Sequence, residues 1–362
     1  MHSWIDSTDA LDAWLDARGA TPLLGVDTEF MRTNTFASRL ALLQLCSDGA
    51  VALVDVVALQ QPPALVDRLG DRRNLCIMHS AGEDLEALLP LLPDGPGELF
   101  DTQIAAALAG VGYGLSYQKL VAQVLGVELA KAETRSDWLQ RPLSAAQLEY
   151  AALDVIYLPQ LHAALSARLD ELGRSVWLRE DCRALIDRAC HAQPDLQPQR
   201  ALRGAAEWPI EQQAQLRRLL LWRNAAARTL DKPKPWLLDD AHALSLASKP
   251  PRSGEELYER TRGLRALRGP QRTELLALLQ APLGDDIAAT APIPANLDGA
   301  QKRAVGDMKT AVAAIAERLA LPDTLLCARR HLEALVTDRV WPTALEGWRK
   351  GLLHEALMAK LS

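Results

Sequence analysis

One short stretch limits this chain more than any other: the apolar run Leu23-Leu24-Gly25-Val26 leading into Asp27-Thr28-Glu29-Phe30. A short apolar run that passes into alternation reads as a buried strand. Successive side chains on a strand point to opposite faces, so Asp27 and Glu29 share one. Two carboxylates side by side repel, and such a pair needs a positive partner or a proton on one member. Hard divalent cations such as Mg²⁺ prefer oxygen ligands and are the usual partner. Alone, the same pattern also describes a strand leaving the core for solvent, so other parts of the chain have to discriminate between the two.

The segments around this strand predict a mixed α/β domain. Residues 7–18 carry Leu11, Trp14 and Leu15 on one helical face. After the strand at 23–30, the runs 40–46 and 50–56 are separated by Ser47-Asp48-Gly49, and Asp-Gly between apolar runs signals a hairpin. The domain is therefore expected to open with a three-strand antiparallel meander. A helix near 62–69, a strand at 75–78, a helix holding Glu83 to Leu89, a strand at 98–101 and a helix at 102–108 follow. That alternation implies parallel strands in the same sheet. Helices are expected at about 116–125, 144–170 and 175–191, closing a domain over residues 1–191.

Two all-helical modules follow, at 207–282 and 298–362, joined by linkers at 192–206 and 283–297. Charge divides along the same lines. Residues 1–199 hold 15 Lys and Arg against 27 Asp and Glu, a balance of −12; residues 200–286 hold 15 against 11, or +4; residues 287–362 hold 10 against 8, or +2. An acidic first half and a basic remainder suit a protein that meets a polyanion. Five cysteines (Cys46, Cys76, Cys182, Cys190 and Cys327) show no zinc-type or disulfide spacing, which fits a reducing, cytoplasmic setting. The N-terminus lacks the basic and apolar regions of a signal peptide, and no apolar run is long enough to span a membrane.

Two further carboxylate positions join the first pair. Asp84 lies at the start of a helix that follows a strand, where α/β sheets place their sites. Tyr150 and Asp154 stand four apart and so project from one helix face. The set Asp-x-Glu, Asp and Tyr-x₃-Asp resembles that of the DEDD 3′–5′ exonucleases, in the subgroup with a tyrosine. The surrounding words, His79-Ser80-Ala81-Gly82-Glu83-Asp84-Leu85, Asp101-Thr102-Gln103, Arg135 to Leu143 and Glu149 to Val155, resemble the bacterial ribonuclease D family. The likeness covers nearly the whole chain. Its helical modules resemble HRDC domains, most clearly over 216–238, with the second copy more divergent.

The resemblance implies a ribonuclease H-like exonuclease fold and a metal-dependent 3′–5′ exoribonuclease releasing 5′-mononucleotides. It implies RNA with a free 3′ end, tRNA precursors among them, as substrate. It also implies two divalent ions, Mg²⁺ or Mn²⁺, which activate water and stabilise the leaving oxygen. By the same resemblance Asp27 bridges the ions, Glu29 and Asp154 hold one, Asp84 helps hold the other, and Tyr150 orients the attacking water. Arg135 and Arg141, flanking Trp138, are candidate phosphate contacts. So are Lys232 and Lys234 in a Pro-rich loop, near Arg217, Arg218, Arg223 and Arg228 at helical spacing. Asp101 and His79 are left open between structural and functional roles. Two alternatives stand beside this reading: a DNA exonuclease of the same chemistry, and a non-catalytic RNA-binding scaffold. Helicase activity is excluded by the absence of G-x₄-G-K-[ST].

Overall fold

Alternation at 23–31 and the Asp48-Gly49 turn build the middle of a six-stranded sheet in the computed structural model, which describes residues 2–19, 22–59, 61–129, 136–191 and 193–361. The chain opens with a strand the meander reading did not include, β1 (His2–Ile5), parallel to β4. A four-residue edge strand has too little periodicity to stand out in sequence; its pairing partner makes it a strand. Helix α1 (Thr8–Asp16) follows, then β2 (Leu23–Met31), β3 (Arg39–Ser47) and β4 (Ala50–Val54), an antiparallel meander as expected. Asp48 and Gly49 both take positive φ (50° and 77°), the backbone that suits a tight hairpin. Next come α2 (Pro63–Gly70), β5 (Leu75–Met78), α3 (Gly82–Leu88), β6 (Glu98–Asp101) and α4 (Thr102–Leu108), with β5 and β6 parallel. The strand order is β1-β4-β3-β2-β5-β6, which puts the Asp27–Glu29 strand in the interior of the sheet.

Helix α5 (Tyr117–Leu125) precedes a region expected as one helix over 144–170. It is two: α6 (Ala145–Ile156) and α7 (Leu158–Glu171), broken at Tyr157. Pro159 stands at the second position of α7. Proline has no N–H and its ring crowds the carbonyl four residues back, so a continuous helix is not available there. Ser144 and Gln147 close a capping box that starts α6 cleanly. Helix α8 (Ser175–Cys190) ends this stretch.

Two compact units divide the chain. The first holds residues 1–31, 38–192 and 299–362; the second holds 32–37 and 193–298. The second is helical, with α9 (Ile210–Leu230), α10 (Lys234–Leu237), α11 (Asp240–Ser248), α12 (Gly254–Arg260) and α13 (Gly269–Gln280) around a core that includes Leu216, Leu220, Trp222, Leu246 and Leu275. The closing helices α14 (Gly299–Leu319), α15 (Asp323–Leu326), α16 (Arg329–Asp338) and α17 (Trp348–Met358) pack within the first unit. There Trp348 stacks on Trp177 with ring centroids 4.5 Å apart, and Arg349 forms a bidentate pair with Asp181 at 2.5 and 2.9 Å. Gly347 is required at this joint: a Cβ there would collide with the Glu180 carboxylate, which accepts the Trp348 N–H. Among the described residues no helix is long and apolar enough to cross a membrane.

Candidate active site

The site is built where β2 outruns its neighbour. Strand β5 pairs only with Leu23–Gly25, so β2 continues past it to Asp27 and Glu29 with that edge open. The chain leaving β5 turns through Ser80, at φ 59°, and enters α3 with Asp84 in its first turn. The Asp84 carboxylate accepts a 2.5 Å hydrogen bond from the Thr28 hydroxyl. A register shift between Glu29 and Phe30 marks a β-bulge at the same point, with Ala41 of β3 as the extra residue. Bulges commonly re-aim side chains beside functional sites. Helix α6 lies across this sheet and brings Tyr150 and Asp154 to the same place.

Five residues expected from sequence are thus gathered: Asp27, Glu29, Asp84, Tyr150 and Asp154. Their electrostatics show how closely they interact. Burial raises the Asp27 carboxyl well above its ordinary value, and Asp84, Asp154 and Glu29 push it further. Glu29 is raised to about 8 by burial and then by Asp154 and Asp84. Asp154 is raised to about 7, chiefly by burial, against the opposing Tyr150 hydrogen bond. Asp84 reaches about 6, again through burial, with the Thr28 bond pulling down. The Tyr150 hydroxyl is driven up by burial and by the surrounding carboxylates, which rules it out as a base near neutral pH. Among the described residues no three His, Cys, Asp or Glu side chains close on one point tightly enough to hold an ion as they stand. Four acids that repel one another would not close unaided. The donor set, all carboxylate oxygen and half-buried, fits hard divalent cations.

Several neighbours hold these groups in place. Asp101, 1% exposed, accepts N–H bonds from Ser80, Ala81, Gln103 and Ile104 at 2.8–3.2 Å. It caps α4 and fastens the turn that delivers Asp84. His79 is held within the fold, with Nδ1 2.9 Å from Thr102 Oγ1 and Nε2 3.1 Å from the Leu115 carbonyl. Since that carbonyl can only accept, Nε2 carries a proton, and burial lowers the His79 pKa. Both residues left open by the sequence therefore act as braces. Two others were not singled out there: Thr28, and Tyr117, whose hydroxyl donates to the Leu153 carbonyl and accepts the Tyr157 N–H at the end of α6. Their partners lie 36 to 56 residues away in sequence, beyond any local pattern. Trp138 is buried and packs against the Tyr150 ring, centroids 6.0 Å apart.

The arginines depart from expectation. Arg141 directs its guanidinium inward: to both Asp55 oxygens at 2.6 and 2.7 Å, and to the carbonyls of Trp138, Gln140 and Ala41. All five N–H donors are engaged, so it is a brace for the bulge rather than a phosphate contact. Burial alone would raise the Asp55 carboxyl, but these bonds hold it below the usual range. Arg135 lies outside the described residues. In the second unit Arg217 and Arg218 pair with Asp286, and Arg223 pairs with Asp240. A smaller basic cluster gathers beside Phe36. Arg228 and Lys234 flank the Phe36 ring at 5.4 and 5.9 Å, Lys232 bonds the Asn34 carbonyl, and the Phe36 N–H is held by Asp231. Burial, and then Arg223, Arg32 and Arg228, lower the Lys234 pKa.

A family model described as a 3′–5′ exonuclease matches residues 2–170. The chain is 40% identical to Ribonuclease D of Xanthomonas oryzae pv. oryzae, over 100% of this chain and 99% of that protein. The chain belongs to the ribonuclease D family. It also superimposes on the crystal structure of Escherichia coli RNase D, an exoribonuclease involved in structured RNA processing, with a TM-score of 0.86 and 29% identity, covering 100% of this chain and 98% of that one. The catalytic core of RRP6 from Trypanosoma brucei shares the fold at a TM-score of 0.62 and 23% identity, over 77% and 80% of the two chains. As a ribonuclease D, the protein is a 3′–5′ exoribonuclease, and members of this kind of exonuclease generally use divalent metals. The DNA exonuclease and the non-catalytic scaffold fall away as alternatives.

Proposed function

We propose that this ribonuclease D trims structured RNA, tRNA precursors included, from a free 3′-hydroxyl and releases 5′-mononucleotides. Asp27, Glu29, Asp84 and Asp154 would hold two Mg²⁺ or Mn²⁺ ions. When bound, these supply an activated water and charge stabilisation at the leaving oxygen. The chain's own groups do the rest. Tyr150, kept protonated, orients the attacking water from the face of α6 that also carries Asp154. Asp101 and Thr28 keep Asp84 turned toward β2. The observation that carries this reading is the gathering of four half-buried carboxylates, drawn from three separate elements, close enough to raise one another's pKa. Like charges at such density are unfavourable unless a cation is part of the working state.

The exposed Arg228 and Lys234 beside Phe36, with the half-buried Lys232 near them, support a role for the HRDC-like region in holding the RNA body. Expected on purified protein with Mg²⁺ or Mn²⁺ is stepwise shortening of linear RNA, with slower cutting of a matched DNA and none of a circular RNA. Rapid loss of the circle would show an endonuclease and sink the directional assignment.

A further inference from the structure

Gln44 is fully buried on β3, and neither its Oε1 nor its Nε2 has a hydrogen-bond partner among the described residues. A primary amide offers two donors and two acceptor lone pairs. Leaving all of them unmet in a core is costly, and such a group in a native fold calls for an explanation. The sheet register supplies one. Gln44 stands directly opposite Asp27 in the β2–β3 pair. Residues so paired share a face, with Cβ atoms about 4.5–5.5 Å apart, so a glutamine amide can reach the aspartate's carboxylate directly or through one water. On its other side Gln44 faces Leu53 of β4. Its same-face neighbours on β3 are Leu42 and Cys46, and Cys46 lies under the end of α6, 3.9 Å from the Ile156 carbonyl. Asp27 is therefore the polar side chain directly paired with Gln44, with Glu29, opposite Leu42, next along the same face.

We propose that Gln44 is a positioning residue for Asp27. In the cation-loaded site its Nε2–H group would donate to one carboxylate oxygen, directly or through one water, and so fix which oxygen is turned toward the reacting centre. The amide is neutral, so it orients the carboxylate without competing for the cations, as a lysine or arginine would. It also explains a polar residue in the middle of Leu42-Leu43-Gln44-Leu45, where a leucine would pack without cost to the sheet. The proposal rests on the assignment of Asp27 as a metal-holding carboxylate.

The test uses the full chain carrying Gln44→Met, which keeps length and volume and removes the amide. Melting temperature in EDTA should hold or rise, because an unpaired buried amide is gone. Turnover should fall about 10- to 100-fold, the usual cost of losing a group that orients a ligand, with KM for RNA unchanged. Mn²⁺ affinity, read by calorimetry without RNA, should weaken over the same range. Wild-type turnover together with wild-type Mn²⁺ affinity would overturn the proposal and leave Gln44 as packing. Asp27→Asn is run in parallel. If it is inactive while Gln44→Met is normal, only the Gln44 inference fails; if Asp27→Asn is active, the carboxylate assignment itself fails. Should Gln44→Met not fold, the wild-type chain decides. With ¹⁵N-labelled glutamine, the Gln44 side-chain amide should shift on Mg²⁺ addition, and an unmoved resonance would overturn the inference.

Discussion

Charge is arranged in opposite ways in the two units. In the first, four carboxylates are concentrated in a half-buried site, each raised by burial and most by their neighbours. In the second, several arginines are neutralised by acids of their own unit, and Arg228 and Lys234 sit on the surface beside one phenylalanine. Each arrangement suits a different task. Dry, like charges store repulsion that a tightly bound counter-ion relieves, which is the electrostatic setting of a metal-dependent reaction. Wet cations exchange salt ions for phosphates at little cost, which suits loose, sequence-independent holding of a polyanion.

The largest effect should come from removing one of the dry charges. Asp27→Asn or Asp154→Asn is expected to lower turnover at least ~1000-fold, the several kcal/mol that correctly held metals supply. Melting temperature without metal should hold or rise as repulsion is relieved. Single-turnover RNA hydrolysis and thermal melts in EDTA measure both, and near wild-type turnover would undo the contrast at its root.

Tyr150→Phe should act less strongly. Loss of one hydroxyl that orients water predicts a fall in turnover of roughly 100-fold, at the lower end for groups assisting proton transfer. Calorimetric Mn²⁺ affinity should stay within a factor of a few, because the phenol ligates nothing. A collapse of Mn²⁺ binding in this variant would make Tyr150 part of the metal site instead.

The raised carboxylates also predict a pH dependence of stability. Asp84, Asp154 and Glu29 have folded values of about 6, 7 and 8, and Asp27 is raised as well. Unfolded carboxyls titrate near ~4. Across that window the folded, metal-free protein binds more protons than the unfolded chain, so stability falls as pH rises. Melting temperature in EDTA should decline from about pH 5 to about pH 8. Added Mg²⁺ should flatten the decline, since it binds the charged form. A metal-free melting curve that rises over this interval would contradict the crowded site.

The smallest effect belongs to the wet charges. Lys232→Ala and Lys234→Ala should leave turnover on a short single strand unchanged while weakening binding of structured RNA. For every phosphate that a lysine no longer neutralises, the log–log salt slope should drop by about one. Binding isotherms at several salt concentrations test this, and unchanged slopes would leave the basic surface without a role in holding RNA.

Much of the first unit is legible in the residues alone, for a local reason. Asp27 and Glu29 share a face because a strand alternates; Tyr150 and Asp154 share one because a helix turns every 3.6 residues. Asp48-Gly49 makes a hairpin because that backbone is cheap for those residues. Such statements need only the chain within a few positions. The basic residues escape a local reading for the converse reason. Helical spacing places Arg217, Arg218 and Arg223 on α9, but nothing nearby in sequence announces Asp286 or Asp240. Arg141 sits in a family-like word, yet its role depends on Asp55 and on the carbonyl of Ala41, 86 and 100 residues earlier.

The amino-acid order alone thus specifies most of the elements, the sequence in which they carry their carboxylates, and the family to which that pattern belongs. Folding settles which charges face one another, which are neutralised, that β1 is a strand at all, that 299–362 packs within the first unit, and that Gln44 stands beside Asp27 with its amide unmet. Periodicity follows from backbone geometry repeated over neighbouring residues. A hydrogen-bond partner follows from packing between segments far apart in the chain, and only the folded molecule brings those segments together.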